Sequence, residues 1–286
     1  MITFLRILFA SLLSISISVH AADTDSASET SRKLADPTSD IWALFTAFEA
    51  TNFKGDAIEG SEWGGSMIIE PVMPITLTPK LKLLTRPALP IFFGAPVPNE
   101  QTYMSGSNSY RDIDHKTGLG DLQLPLMFSP ITGNKFTWGL GPSFILPTHT
   151  DDALGDDVWQ AGVAALGVYK PDKTLTVGAL SQYWWSIDDN NKEEEKSHAQ
   201  IVVFGWKELG GGKSVGFGPT ITYDAKREGT KWNVPLGVNY AWMSKIGGKI
   251  PVKYQIGADV SVIKNDTYDP DFVLKLNVIP VVPSLF

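Results

Sequence analysis

"KWNVPLGVNYAWM", residues 231–243, decides the fold. Trp232, Val234, Leu236, Val238, Tyr240 and Trp242 fall on one side of a period of two, and Asn233, Pro235, Gly237, Asn239 and Ala241 on the other. A helix would scatter both sets around its circumference, whereas a strand sends successive side chains to opposite faces. One face is apolar and aromatic, the other small or polar. "VKYQIGADVSV", 252–262, repeats the pattern, with Val252, Tyr254, Ile256, Ala258, Val260 and Val262 against Lys253, Gln255, Gly257, Asp259 and Ser261. "DFVLKLNVIPVVPSLF", 271–286, repeats it again, with Phe272, Leu274, Leu276 and Val278 opposed by Lys275 and Asn277. Pro280 and Pro283 donate no backbone hydrogen bond, so regular pairing is expected to stop near Ile279.

Working outward, twelve such segments stand at roughly 41–54, 65–76, 80–94, 118–128, 135–147, 159–169, 174–186, 198–207, 214–224, 232–243, 249–263 and 271–282. The first, around "IWALFTAFEATNF", reads either as a strand or as a short amphipathic helix. After the second, compact turns such as "KPDK" and "SKIGG" alternate with longer polar loops, the longest being "APVPNEQTYMSGSNSYRDIDHKT". Short turns at one end and long loops at the other are the pattern of an antiparallel transmembrane β-barrel, and an even strand count puts both termini on the periplasmic side.

The tryptophans separate this fold from a soluble β-sandwich, which would concentrate them at strand centres. Trp42, Trp138, Trp206 and Trp242 fall near the expected periplasmic strand ends; Trp63, Trp159, Trp184, Trp185 and Trp232 fall near the extracellular ends. Two interfacial aromatic girdles are expected.

The amino terminus fits export. Residues 1–21 carry Arg6, an apolar run from Ile7 to Val19, and Val19 and Ala21 around a cleavage position, which reads as a signal peptide. Residues 22–40 are small, polar and aperiodic, and read as a mobile periplasmic segment; the barrel takes 41–286. No later stretch reaches the ~20 apolar residues of a spanning helix. The chain has no cysteine, so no disulfide staples the exported protein. A formal charge of -7 argues against nucleic acid as a partner. The expected location is the outer membrane of a Gram-negative bacterium. The expected partners are membrane lipid and lipopolysaccharide, the barrel-assembly machinery, to which the terminal Phe286 is presented, and a small-molecule solute; no cofactor is implied.

Several stretches carry a family resemblance: "GLGDLQLPLMFSP" (118–130), "WGLGPSFILPTHTDDALG" (138–155), "WQAGVAALGVY" (159–169), "TVGALSQYWWS" (176–186), "KWNVPLGVNYAWMSKIGGKIPV" (231–252) and "FVLKLNVIPV" (272–281). From about Pro37 onward the chain resembles a bacterial outer-membrane family grouped with transporters of the phenol meta-cleavage degradation pathway. Some members carry the inherited label "neuromedin U". The resemblance implies an outer-membrane barrel that passes small, aromatic or hydrophobic compounds, and supplies no catalytic or binding residues.

Site candidates therefore come from the strand faces. If the apolar face meets lipid, the lumen receives Glu70, Lys82, Arg86, Asp121, Gln123, Gln182, Asn239, Lys253, Gln255, Asp259, Lys275 and Asn277. Either these side chains neutralise one another as a rigid plug, or some line a polar path and set selectivity. Twelve strands fall between side-chain-filled eight-stranded barrels and open porins. The loop "THTDDALGDDVW" groups Asp151, Asp152, Asp156 and Asp157, oxygen donors that suit a hard cation but lack EF-hand spacing. "IDDNNKEEEKS" reads as a solvated extracellular tip. After the signal segment only His115, His149 and His198 remain, and no G-x-S-x-G or H-E-x-x-H occurs, so the chain reads as a non-enzyme. A channel or transporter is the leading reading; a structural or surface-interaction barrel is the alternative and an outer-membrane hydrolase a remote one.

Overall fold

The computed structural model describes residues 24–99, 103–104, 109–110, 112–187 and 195–284. The expected signal peptide at 1–21, Phe286 and most of the acidic tip at 188–196 lie outside the described residues.

Twelve strands close into an antiparallel barrel. They are β1 (Ala43–Lys54), β2 (Glu62–Thr78), β3 in two runs (Leu81–Thr85 and Leu89–Pro98), β4 in two runs (Ile113–Leu119 and Leu122–Pro130), β5 (Phe136–Leu146) and β6 (Gln160–Tyr169). β7 (Leu175–Ser186), β8 (Ser197–Gly210), β9 in two runs (Lys213–Phe217 and Thr220–Asp224), β10 (Trp232–Ile246), β11 (Ile250–Ile263) and β12 (Asp269–Pro280) complete it. The ambiguous first segment is a strand. β1 pairs on both sides, Phe48 standing opposite Met67 of β2 and Leu276 of β12, so no edge is left open. β12 ends at Pro280, one residue past the expected stop, and the Val282 N–H still donates to the Trp42 carbonyl at 3.0 Å. Both barrel ends of the chain thus lie at the short-turn end.

The breaks in β3 and β9 follow from proline. Pro87 and Pro219 have no N–H, and the ladder stops there and resumes beyond. In β9 the stop at Gly218–Pro219 interrupts one seam only. β8 keeps its partners, Gly205 with Phe217 and Val202 with Thr220, whereas β10 pairs at Gly216–Asn239 and next at Thr222–Asn233. The β10–β11 hairpin turns at Gly247 and Gly248, whose φ angles of 58° and 72° suit the twist of a tight hairpin.

Outward side chains form a continuous apolar belt that includes Leu140, Val163, Leu236, Val238, Ile256 and Val260, all about half exposed. An exposed apolar surface of this extent is stable only against lipid. Among the described residues no helix is long and apolar enough to cross a membrane. Trp63, Trp159, Trp185 and Trp232 face outward at the long-loop end and Trp138 at the short-turn end, where Trp242 stacks between Tyr240 and Tyr254 at 6.0 and 5.6 Å.

Three of the nine expected girdle tryptophans are buried instead. Trp184 and Trp185 are consecutive in a strand, so only one can face lipid; Trp184 turns inward and donates to Ser143 Oγ at 2.9 Å. Trp206 lies under the Lys253 ammonium, 4.6 Å from its ring centroid, and Trp42 donates to the Pro74 carbonyl at 3.2 Å.

Residues 24–40, within the segment expected to be mobile, carry a helix and a run across the barrel mouth. Helix α1 (Thr24–Leu34) docks against β8, β9, β10 and β11 at the short-turn end. Ser31 donates to Glu208 at 3.0 Å, Lys253 donates to the Ser31 carbonyl at 3.2 Å, and the Gly212 N–H donates to Ser28 Oγ at 3.2 Å. The chain then runs across the mouth. Asp36 pairs with Lys170, Thr38 Oγ1 meets Thr137 Oγ1 at 2.8 Å, and Lys82 holds the Thr38 carbonyl and, at 2.9 Å, Asp40. The docked face is Ala27, Ser28 and Ser31, small and polar, so no apolar stripe announced it; tertiary contacts hold an 11-residue helix that would be marginal alone.

Candidate functional site

Two cavities follow the barrel axis. The lower one, about 220 Å³, is floored by the crossing segment from Lys33 to Ile41. The upper one, about 300 Å³, lies toward the long loops. They share Glu49, Ile68, Thr220 and Lys275, which mark the neck between them.

The neck takes Glu49 from β1, Ile68 from β2, Thr220 from β9 and Lys275 from β12, with Asp259 of β11 beside it. Glu49 stands opposite Lys275 in the β1–β12 register. Lys275 pairs with Asp259 and donates to the Gly218 carbonyl at 3.2 Å, at the break in β9. Just below, Arg86 pairs with Glu70, and its guanidinium lies 4.6 Å from the centroid of the Phe45 ring. Buried charges that pair in this way fix the strands that carry them relative to one another. Glycine makes room for them: a Cβ on Gly237 would lie 1.9 Å from Asp259 Oδ1, and one on Gly257 1.7 Å from Asn239 Oδ1.

The lower cavity has two unlike walls. Glu70, Arg86, Gln123, Gln182, Asn239, Gln255, Lys275 and Asn277 line it, Asp259 lines the upper cavity, and Glu49 joins them from β1. Leu84, Met127, Leu166, Leu180, Val202 and Phe204 make an apolar wall from β3, β4 and β6 to β8, with Gln123, Gln182 and Gln200 on the same strands beside it and Asn239, Gln255, Lys275 and Asn277 coming from β10 to β12. The sequence reading missed this wall because β6 to β8 carry apolar residues on both faces. Glu49 was missed because Phe45, Ala47 and Phe53 share its face and make that face look apolar.

Three expected lumen residues do not line the two cavities, although Lys82 and Lys253 still face inward. Lys82 and Lys253 hold the amino-terminal segment, as described above. Asp121 lies at the break in β4 and anchors the loop after β5: its Oδ1 accepts from the Thr148 N–H at 3.1 Å and the His149 N–H at 3.2 Å, and its Oδ2 accepts from the Asp156 N–H at 2.7 Å.

The four acidic loop residues do not converge. Asp151 caps the 3-10 turn Asp152–Leu154 and meets Lys116 at 3.4 Å, while Asp156 meets Lys196 at 2.8 Å. Ligand atoms of His149, Asp152 and Asp157 do gather within 4.8 Å of one another. Both His149 nitrogens are already engaged, Nδ1 with Asp121 at 2.7 Å and Nε2 with Asp157 at 3.0 Å. The hydrogen bond to Asp121 holds the imidazole above its ordinary pKa, with the Asp157 charge adding to it. Gly155 permits this packing, since a Cβ there would lie 2.5 Å from His149 Nδ1.

No family model matches the chain, and none of the curated proteins does. Among solved structures, an outer membrane channel of Pseudomonas putida F1 superposes with a TM-score of 0.60 at 14% identity, over 85% of this chain and 96% of that one. The chain has the fold of an outer-membrane β-barrel. The β domain of the Bordetella autotransporter BrkA (TM-score 0.45, 9% identity, 85% and 100% covered) and the CymD monoaromatic hydrocarbon channel (0.45, 8%, 92% and 95%) are also similar. At these values the likeness in fold rests on the Pseudomonas channel.

Proposed function

We propose that this barrel is a passive outer-membrane channel for small hydrophobic molecules, with its short-turn end toward the periplasm. The observation that carries this reading is the apolar wall inside the lumen. Leu166, Leu180, Val202 and Phe204 stand beside the axial cavities, apolar surface that an aqueous path for ions or sugars would not need. The Pseudomonas structure that this fold resembles is an outer membrane channel, which supports the same reading. Passage out of the lower cavity needs the segment at 33–41 to shift, and its tethers to Lys82 and Lys170 are polar and few.

The test is uptake of toluene by vesicles with a lipopolysaccharide outer leaflet, which slows entry of hydrocarbons, with and without the purified protein. Faster uptake supports the reading; equal rates would sink it.

A structural or surface-interaction barrel is the second reading, favoured by the paired charges of the neck and the covered mouth. It predicts that removing 188–196 abolishes surface binding and leaves permeability unchanged. Catalysis has less support: His149 Nε2, the atom a triad would direct at a nucleophile, faces the Asp157 carboxylate.

A further inference from the structure

We infer that the neck between the two cavities makes the axial path selective for inorganic cations over anions, and that Glu49 is the residue that sets the preference. This rests on the channel reading and adds to it how the same path treats ions.

Pairing singles out Glu49. Every other charged residue that lines the two cavities is held in an ion pair: Arg86 with Glu70, Lys275 with Asp259 and, at the floor, Lys33 with Glu29 at 2.8 Å and Asp36 with Lys170. Glu49 makes neither an ion pair nor a hydrogen bond among the described residues. Lys275 stands opposite it in the β1–β12 register, but the ammonium is taken by Asp259 and the Gly218 carbonyl. With Glu49, Asp259 and Lys275 together, the neck carries one negative charge in excess.

That charge can be reached from the lumen. Glu49 lines both cavities and is only partly buried, and both of its carboxylate oxygens keep open surface. Toward the long loops, Thr51, Ser66, Thr220 and Thr222 line the upper cavity with hydroxyls that make no hydrogen bond among the described residues, which leaves them to water or a passing ion. Ser66 is the cross-strand neighbour of Glu49 on β2, on the same face, so the hydroxyl path runs up to the carboxylate. Hydroxyls serve either sign of ion, and the sign is therefore left to Glu49.

The surroundings strengthen the effect. Ile68 stands at the same level and Phe53 just above it, and a fixed charge between apolar walls acts on a passing ion more strongly than in open water. An unpaired carboxylate at the narrowest part of a path draws cations and turns anions back.

The experiment is the zero-current potential of the full chain in planar bilayers under a KCl gradient at about pH 8, far enough above the ordinary carboxyl range for Glu49 to carry its charge. The native protein should pass K⁺ over Cl⁻ by roughly fivefold. Glu49→Gln should remove most of that preference, and Glu49→Lys should turn it toward Cl⁻. Circular dichroism checks that each variant folds, and Glu49→Gln, which removes a charge that no partner holds, suffices alone. A native protein without a preference for K⁺ would overturn the inference. A preference that survives Glu49→Gln would overturn it as well, showing that the acidic loops select. A bilayer that stays silent would also overturn it, because ions would then have no path through the neck. Toluene uptake reads the channel separately. Uptake without ion selectivity leaves the channel standing without this filter, and cation selectivity without uptake leaves the filter without a hydrophobic substrate.

Discussion

Lys275 of β12 joins three elements at the neck: it pairs with Asp259 of β11, stands opposite Glu49 of β1, and donates to the Gly218 carbonyl where β9 is broken. The cation stands where the two cavities meet, so it holds the closing seam together and narrows the axial path. Asp259 is 2% exposed, and losing its partner would leave a buried charge alone.

Lys275→Met is therefore expected to destabilise the barrel by about 3 kcal/mol, within the range for breaking one side of a buried pair. Lys275→Met combined with Asp259→Leu and Glu49→Gln should regain most of that loss, because no orphan carboxylate is left at the neck. Urea unfolding in lipid vesicles reads both.

Leu236 lies mid-strand on the outward face of β10 and is 57% exposed. Leu236→Arg should cost roughly 2–4 kcal/mol of folding in the bilayer. The same urea titration applies, and an unchanged midpoint would mean that the two faces of β10 are reversed.

The segment at the mouth should limit ion flow. Deleting residues 24–40 leaves β1 intact from Ala43 and is expected to raise single-channel conductance several-fold in planar bilayers. Lys82→Ala with Lys170→Ala, which cuts two tethers, should give an intermediate effect with frequent switching between levels. Identical conductance in all three proteins would show that the segment does not cover the path.

The loop after β5 should loosen as pH rises. The folded pKa of His149 lies above the unfolded value of ~6.5, so its contribution is complete below about pH 6.5 and is lost as pH climbs through the folded value. The amide hydrogens of Thr148, His149 and Asp156, all bonded to Asp121, should exchange faster at pH 9 than at pH 6 after correction for the intrinsic rate. His149→Gln should remove that dependence. A loop equally protected at both pH values in the native protein would contradict the role given to His149.

The barrel was legible because a period of two survives wherever one face is lipid and the other polar, as in β10 to β12. Strand ends came out within a few residues, and the even count followed from the twelve alternating segments. The lumen was only half legible. Where Lys275, Asn277, Gln255 and Asn239 mark the inner face, the sequence names it; where Leu166, Leu180 and Phe204 face inward opposite an equally apolar outer face, alternation carries no sign. Trp184 and Trp206 were misplaced for the same reason, since position along a strand says nothing about which side a ring takes. α1 was invisible because its docked face consists of alanine and serine, whose meaning depends on Glu208 and Lys253, more than 170 residues away in sequence.

The apolar wall is the feature on which the functional reading depends, and Leu180, at its centre, is buried inside the lumen. The most direct measurement is the initial rate of toluene uptake by vesicles with a lipopolysaccharide outer leaflet, comparing the native protein, Leu180→Asp and protein-free vesicles. The native protein should be several-fold faster than protein-free vesicles, and Leu180→Asp should fall toward the protein-free rate while its circular dichroism stays β-rich. Native uptake no faster than that of protein-free vesicles would contradict the channel, and full uptake by a folded Leu180→Asp barrel would contradict the part assigned to the wall.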